Sequence, residues 1–271
     1  MRARLTAVRV VCTLAVFLGG SHVWAQPSAD QRPDMVTDRP DFTESSDVIP
    51  PGLFQFESGV SYEGNTRNGV PERNLVVPGA LMRIGLLPRV ELRLGGDGFL
   101  SQNVDDLSTS GYSDLEVGVK ARLLDQRRAG IDLAVIPMVS LPIGSDGFTS
   151  GGIDPTVKIT WARDVPAGFD VSGNFNFASV TDDLGRFNRK TVSVSMAHDL
   201  VAGWGGFIET YGFTPMERDS AWGVTLDFGV TRSIGRDFQF DVEAGRGLTA
   251  AAPDWFVGLG FAVRGRAGGK P

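Results

Sequence analysis

The residues best able to do chemistry in this chain are charged side chains set at alternate positions inside otherwise apolar segments. Glu57 stands in Phe54-Gln55-Phe56-Glu57-Ser58-Gly59-Val60-Ser61-Tyr62, and Glu116, Lys120 and Arg122 stand in Leu115-Glu116-Val117-Gly118-Val119-Lys120-Ala121-Arg122-Leu123. Neighbours along a β-strand point to opposite faces, so each segment has one apolar and one polar face. The same count sets Glu91 and Arg93 against Val90, Leu92 and Leu94, and puts Arg83, Asp114, Asp154, Lys158, Asp170, Asp227, Asp241 and Glu243 on the polar face. Glu209 is harder to place, because Trp204-Gly205-Gly206-Phe207-Ile208 does not alternate cleanly. Charges arranged this way can line an aqueous path and set its selectivity. They can equally pair with one another across an interior and fill it. Both readings stay open at this stage.

Other chemistries fare worse. A barrel lipid hydrolase would use serine with histidine, but His198 shares parity with Val192, Val194 and Met196, while Ser193 and Ser195 lie on the opposite face. Asp105-Asp106 and Asp182-Asp183 fall in connectors and supply too few ligands at fixed spacing for a calcium loop. Gly203-Trp204-Gly205-Gly206 and Gly144-Ser145-Asp146-Gly147 lack the Gly-Lys-Ser/Thr that a phosphate loop needs. No catalytic residue, metal site or cofactor is expected.

These faces need strands to hold them. Twelve alternating segments are drawn at 53–63, 74–86, 90–99, 113–124, 130–141, 153–162, 169–179, 189–200, 204–214, 221–233, 237–247 and 255–264. The connectors 87–89, 125–129, 163–168, 201–203 and 234–236 are short, whereas 100–112, 142–152 and 180–188 are longer and rich in Gly, Ser, Asp and Asn. A charge on a lipid-facing position near the bilayer midplane costs roughly 2–4 kcal/mol for Lys or Arg, so the polar face must look inward. An open strand edge cannot exist in lipid, so the sheet must close. The expected fold is all-β, a closed antiparallel transmembrane barrel of about twelve strands with short periplasmic turns and longer outer loops. Trp161, Trp204, Trp222, Trp255, Tyr62 and Phe169 sit at or near segment ends, where an aromatic girdle belongs. A secreted β-sandwich also alternates, but it has no need of such a girdle.

The first 25 residues read as a signal peptide. Arg2, Arg4 and Arg9 precede the apolar run 10–18, and Val23-Trp24-Ala25 supplies a cleavage site. Removing those arginines takes the formal charge from −6 to −9, and an acidic chain of this kind leaves no nucleic-acid footprint. The only cysteine, Cys12, leaves with the signal, so the exported chain can form no disulfide. Residues 26–51 are acidic and carry prolines at 27, 33, 40, 50 and 51, which argue against helix or central strand. They read as an extended periplasmic segment, with the barrel taking residues 52–271. The glycine, aromatic and apolar spacing of Gly258-Leu259-Gly260-Phe261-Ala262-Val263 suits an outer-membrane assembly signal. The partners expected are outer-membrane lipid, small-molecule solutes and, during biogenesis, the assembly machinery.

Thr37-Asp38-Arg39-Pro40-Asp41-Phe42-Thr43-Glu44-Ser45, followed by Pro50-Pro51-Gly52-Leu53-Phe54-Gln55-Phe56-Glu57-Ser58-Gly59, resembles the bacterial outer-membrane proteins named after the meta-pathway of phenol degradation. Arg83-Ile84-Gly85-Leu86, Val90-Glu91-Leu92-Arg93, Asp114-Leu115-Glu116, Leu141-Pro142-Ile143-Gly144, Gly247-Leu248-Thr249 and Pro253-Asp254-Trp255 extend the resemblance across the exported chain. It implies an outer-membrane barrel that passes small, often aromatic or hydrophobic, compounds. A plugged structural or adhesion barrel is the alternative. Asp38, Arg39, Pro40, Asp41 and Glu44 become plug candidates, expected to enter the periplasmic mouth and pair with Arg83, Arg93 and Glu91.

Overall fold

The computed structural model describes residues 32–214 and 221–266, so the signal-peptide expectation lies outside the described residues. Fourteen strands are present among them: β1 (Leu53–Arg67), β2 (Val70–Leu87), β3 (Val90–Gly96), β4 (Phe99–Val104), β5 (Leu107–Tyr112), β6 (Leu115–Leu124), β7 (Asp132–Leu141), β8 (Asp154–Val165), β9 (Phe169–Asp182), β10 (Gly185–Val201), β11 (Trp204–Phe213), β12 (Gly223–Ser233), β13 (Phe238–Gly247) and β14 (Trp255–Arg266). A single helical turn, α1 (Gln126–Ala129), joins β6 to β7.

All neighbours run antiparallel, and β1 pairs with both β2 and β14, which closes the sheet. Two of the fourteen strands are continuations. Along β2 the ladder passes from Ala80 opposite Gly96 of β3 to Val77 opposite Phe99 of β4. On the other side of that hairpin, β5 prolongs β6 in the same way. The wall is therefore a closed twelve-strand barrel, as its alternation predicts.

The outward face carries Phe175, Phe177, Ile208, Phe228, Phe240, Val242 and Leu259, all exposed. An apolar belt of that extent is untenable in water and is what hydrocarbon requires. Trp161, Trp204 and Phe169 lie toward the end where β1 begins and β14 finishes (the terminal end), and Tyr62, Trp222 and Trp255 lie toward the far end. Arg232 covers the Trp204 ring at 5.3 Å and Arg73 the Trp255 ring at 6.0 Å, the pattern of a long cation reaching for the interface.

The connector 142–152 lies between strands as expected, but two others differ. Residues 100–112, read as a loop, are mostly strand, and so are most of 180–188. At the far end, hairpins turn through only two residues at 68–69, 105–106 and 183–184, while the turn that carries α1 at the terminal end is longer. What projects at the far end is extended strand: β2 has 18 residues and β10 has 17, against the 9–11 that cross a bilayer. Above the membrane both faces of a strand are wet, so the alternation that marks a spanning segment fades there. Asn68-Gly69 closes its hairpin with φ of 52° and 81°, the two left-handed residues of a type I′ turn.

Replacing outward Val242 by Arg is expected to lower unfolding free energy by roughly 2–4 kcal/mol. Denaturant titration of the barrel refolded in vesicles checks this.

Candidate functional site

Register crowds cations together in the barrel interior. Arg83 of β2 lies directly opposite Arg93 of β3, and Glu91 of β3 lies opposite Lys120 of β6. Like charges facing each other on adjacent strands repel, and these three cations are no more than 1% exposed. Glu91 reaches Arg83 and Arg93, both at 2.9 Å, and Glu57 of β1 reaches Arg83 at 3.1 Å. Three cations against two carboxylates leave one positive charge buried without an answer from the wall.

The chain ahead of β1 supplies it. Residues 33–51 run through the interior, and Asp38 sits among the three cations: 3.4 Å from Arg83, 2.6 Å from Arg93 and 3.1 Å from Lys120. Burial by itself would raise the Asp38 carboxyl. Arg83, Lys120 and Arg93 outweigh that and hold it well below the usual carboxylate range. The backbone is fastened around the same point. The Asp38 N–H donates to Glu57 at 2.9 Å and the Ile49 N–H to Glu91 at 2.7 Å. Arg83 donates to the carbonyls of Val36 and Asp47, and Lys120 donates to that of Ser45 at 2.8 Å.

Further contacts engage the rest of the wall. Glu44 pairs with Lys158 of β8 at 2.7 Å and with Arg93 at 3.3 Å. Ser46 bonds Thr160 of β8, and Thr43 bonds Ser193 of β10 at 2.6 Å. Glu209 of β11 faces inward and accepts the N–H groups of Phe42 at 2.6 Å and Thr43 at 2.9 Å, together with the Thr43 hydroxyl. Arg39 pairs with Asp241 of β13 at 3.0 Å. Its guanidinium lies over Gly59 and Gly260, which are partners in register where β1 meets β14, and a Cβ on Gly59 would come within 2.6 Å of it. Near the terminal end, Arg264 of β14 donates to the carbonyls of Pro33 and Asp34.

The sequence-predicted wall residues Glu57, Arg83, Glu91, Arg93, Lys120, Lys158 and Asp241 thus all touch this segment. Arg122 reaches it through Asp47 at 2.9 Å, near the turn between β6 and β7, and also binds Asp132 of β7. Asp227 lies in register with Glu209. Glu243 lies against Gly258 of β14. Glu116 is on the same face as Lys120, nearer the far end. Asp114 is different: it falls between β5 and β6, and its carboxylate accepts the N–H groups of Gly144 and Ser150. It clamps the loop after β7 rather than lining the wall, because parity does not carry across the break between β5 and β6. Sequence reasoning did not single out Gln55, Thr43, Ser193 or Gln239. Gln55 and Ser193 carry the inward parity that could have marked them. His198 stacks edge-on against Phe169 at 4.5 Å, on the face opposite Ser193 and Ser195.

Asp41, another acid of the segment, behaves oppositely to Asp38. Burial pushes the Asp41 carboxyl well above its ordinary value, and nearby Glu209 and Asp227 add to the push, against a hydrogen bond from Ser195. The neutral form is favoured in the seated state, so seating is strongest below the ordinary carboxylate range and weakens as pH climbs through the raised value. A thiol at Ser46, a buried position, reports this. After correction for thiolate content, its alkylation is expected to accelerate as pH rises from the ordinary carboxylate range and to lose that dependence in Asp41→Asn. Asp38→Asn removes one partner from a buried ion cluster, a loss of about 3–5 kcal/mol, and is expected to expose the same thiol at every pH tested.

The barrel is similar in fold to an outer membrane channel from Pseudomonas putida F1, at 14% identity and a TM-score of 0.60, over 80% of this chain and 97% of that one. The NanC porin is similar at 11% identity and a TM-score of 0.50, over 78% and 98%. No curated protein matches the chain. Residues 37–265, which take in the interior segment from Thr37 onward and all of the barrel but its last strand residue, match the family described as "Putative MetA-pathway of phenol degradation", and the chain belongs to that family.

Proposed function

We propose that this protein is an outer-membrane channel for the passive passage of small solutes, with residues 33–51 as a plug seated in its lumen. The observation that carries the reading is the bonding of one short segment to strands all around the barrel, through ion pairs and backbone groups together. A barrel with a purely structural role has no need of an interior neutralised by a separate, displaceable stretch of chain. The two fold neighbours named above are a channel and a porin by description, which agrees. In this reading the terminal end is periplasmic, the N-terminal 25 residues direct export and are cleaved, and the chain performs no covalent chemistry. Small aromatic or hydrophobic compounds are the class of solute that the family name suggests.

The lumen has its own bias. Inward carboxylates on β11 to β13, namely Glu209, Asp227, Asp241 and Glu243, face one segment cation, Arg39. The conducting protein therefore prefers cations and neutral molecules to anions. Two measurements in planar bilayers check the proposal. Deleting residues 26–49 is expected to raise single-channel conductance severalfold, and the reversal potential in a salt gradient is expected to show cation preference. An unchanged conductance after the deletion removes the plug. A deleted protein that conducts nothing removes the channel and leaves the plugged structural barrel.

A further inference from the structure

The geometry points to a passage that runs beside the seated segment, along the β10–β12 wall, with the rings of Phe42 and Tyr211 as its gate. This inference rests on the channel reading above and locates the path within it.

The two sides of the segment are unlike. Toward β2, β3 and β6 the interior is filled by Arg83, Arg93, Lys120, Glu57 and Glu91, all but inaccessible, and nothing can pass without breaking ion pairs. Toward β10 to β12 a cavity of about 580 Å³ opens at the terminal end, bounded by Thr37, Arg39 and Asp41 of the segment and by Ala197, Gly205 and Phe207 of the wall. Ala197 and Gly205 are the reason for the room: they hold inward positions with little or no side chain.

From that cavity the inward face of β11 climbs through Phe207, Glu209, Tyr211 and Phe213. Glu209 holds the Phe42 N–H at 2.6 Å, which fixes where the Phe42 ring can lie. The ring stacks on Tyr211 at 4.5 Å between centroids and 14° between planes, with Phe213 6.1 Å beyond Tyr211. Phe42 is 38% exposed, and neither it nor Tyr211 borders the cavity. Its free surface therefore lies outside that cavity, and we place the stacked pair between the cavity and the lumen beyond it. The wall beside the pair is polar, with the Ser195 and Thr225 hydroxyls and the Asp227 carboxyl buried there.

A ring stack is a weaker tie than the ion cluster across the lumen. Phe42 can rotate about its side-chain bonds while Asp38, Glu44 and Thr43 stay bound, so the gate opens without unseating the segment. The acidic residues Asp41, Glu209 and Asp227 lie next to the gate, and no cation among them draws an anion through.

A cross-link separates a side passage from release of the whole segment. The Thr43 and Ser193 hydroxyl oxygens are 2.6 Å apart, so Thr43→Cys with Ser193→Cys should form a disulfide that pins the segment next to the gate. In planar bilayers the oxidised protein is expected to keep the ion conductance of its reduced form to within about twofold. Phe42→Ala and Tyr211→Ala in the oxidised background should each raise it severalfold, and the double variant should add little, since either change opens the same gap. The inference is overturned if oxidation abolishes conductance that returns on reduction, or if Phe42→Ala leaves the oxidised protein unchanged. Failure of the channel reading looks different: neither the reduced protein nor the 26–49 deletion conducts, and the gate falls with it.

Discussion

Two arginines in register, Arg83 and Arg93, set the terms for the rest of the interior. Adjacent strands bring them together, burial removes the water that would screen them, and Lys120 adds a third positive charge alongside. Glu57 and Glu91 cannot balance three cations, so the wall alone is an unfinished electrostatic object. Asp38 completes it, reaching all three cations from outside the sheet. A buried charge left unpaired is among the more expensive features a protein can carry. The position of the N-terminal segment is therefore a condition of a stable lumen rather than an ornament on a finished barrel.

Around that point the segment's other contacts fall into two kinds. On the β2–β8 side they are ionic and dense, and they anchor. On the β10–β13 side they are hydrogen bonds to Glu209, Ser193 and Gln239, ion pairs of Arg39 with Asp241 and of Asp34 with Arg236, and one stacked pair of rings. The asymmetry follows from which strands carry lysine and arginine. The cationic side chains Arg83, Arg93, Lys120 and Lys158 all come from β2 to β8, while β11 to β13 present carboxylates and rings to the interior. One half of the lumen holds the segment and the other half tolerates it.

Much of this was legible in the residues. Period-two alternation identifies the strands and turns Glu57, Arg83, Glu91, Arg93, Lys120 and Asp241 inward, because lipid permits no other arrangement. The resemblance carried by Thr37 to Ser45 marked the segment that meets them. The limits have physical causes. β11 alternates poorly because its inward face includes Gly205 and Phe207, which left Glu209 uncertain although it holds two backbone N–H groups of the segment. Asp114 falls at a strand break, where its carboxylate holds the loop after β7. The far-end hairpins were read as loops because strands in water lose their apolar face, although Asn68-Gly69 is a strong hairpin signal. Contacts such as Phe42 with Tyr211 join residues far apart in the chain, and no local pattern encodes them.

The separation of those partners has a consequence for how the molecule is made. Arg39 finds Asp241 across 202 positions, and the backbone at Asp34 finds Arg264 across 230. The glycine pair beneath Arg39 exists only once the first and last strands have met. Residues 33–51 precede every strand of the barrel, yet they have no complete binding site until the C-terminal strand is in place. A segment that comes before the wall in sequence can thus dock fully only in a cylinder that is already sealed.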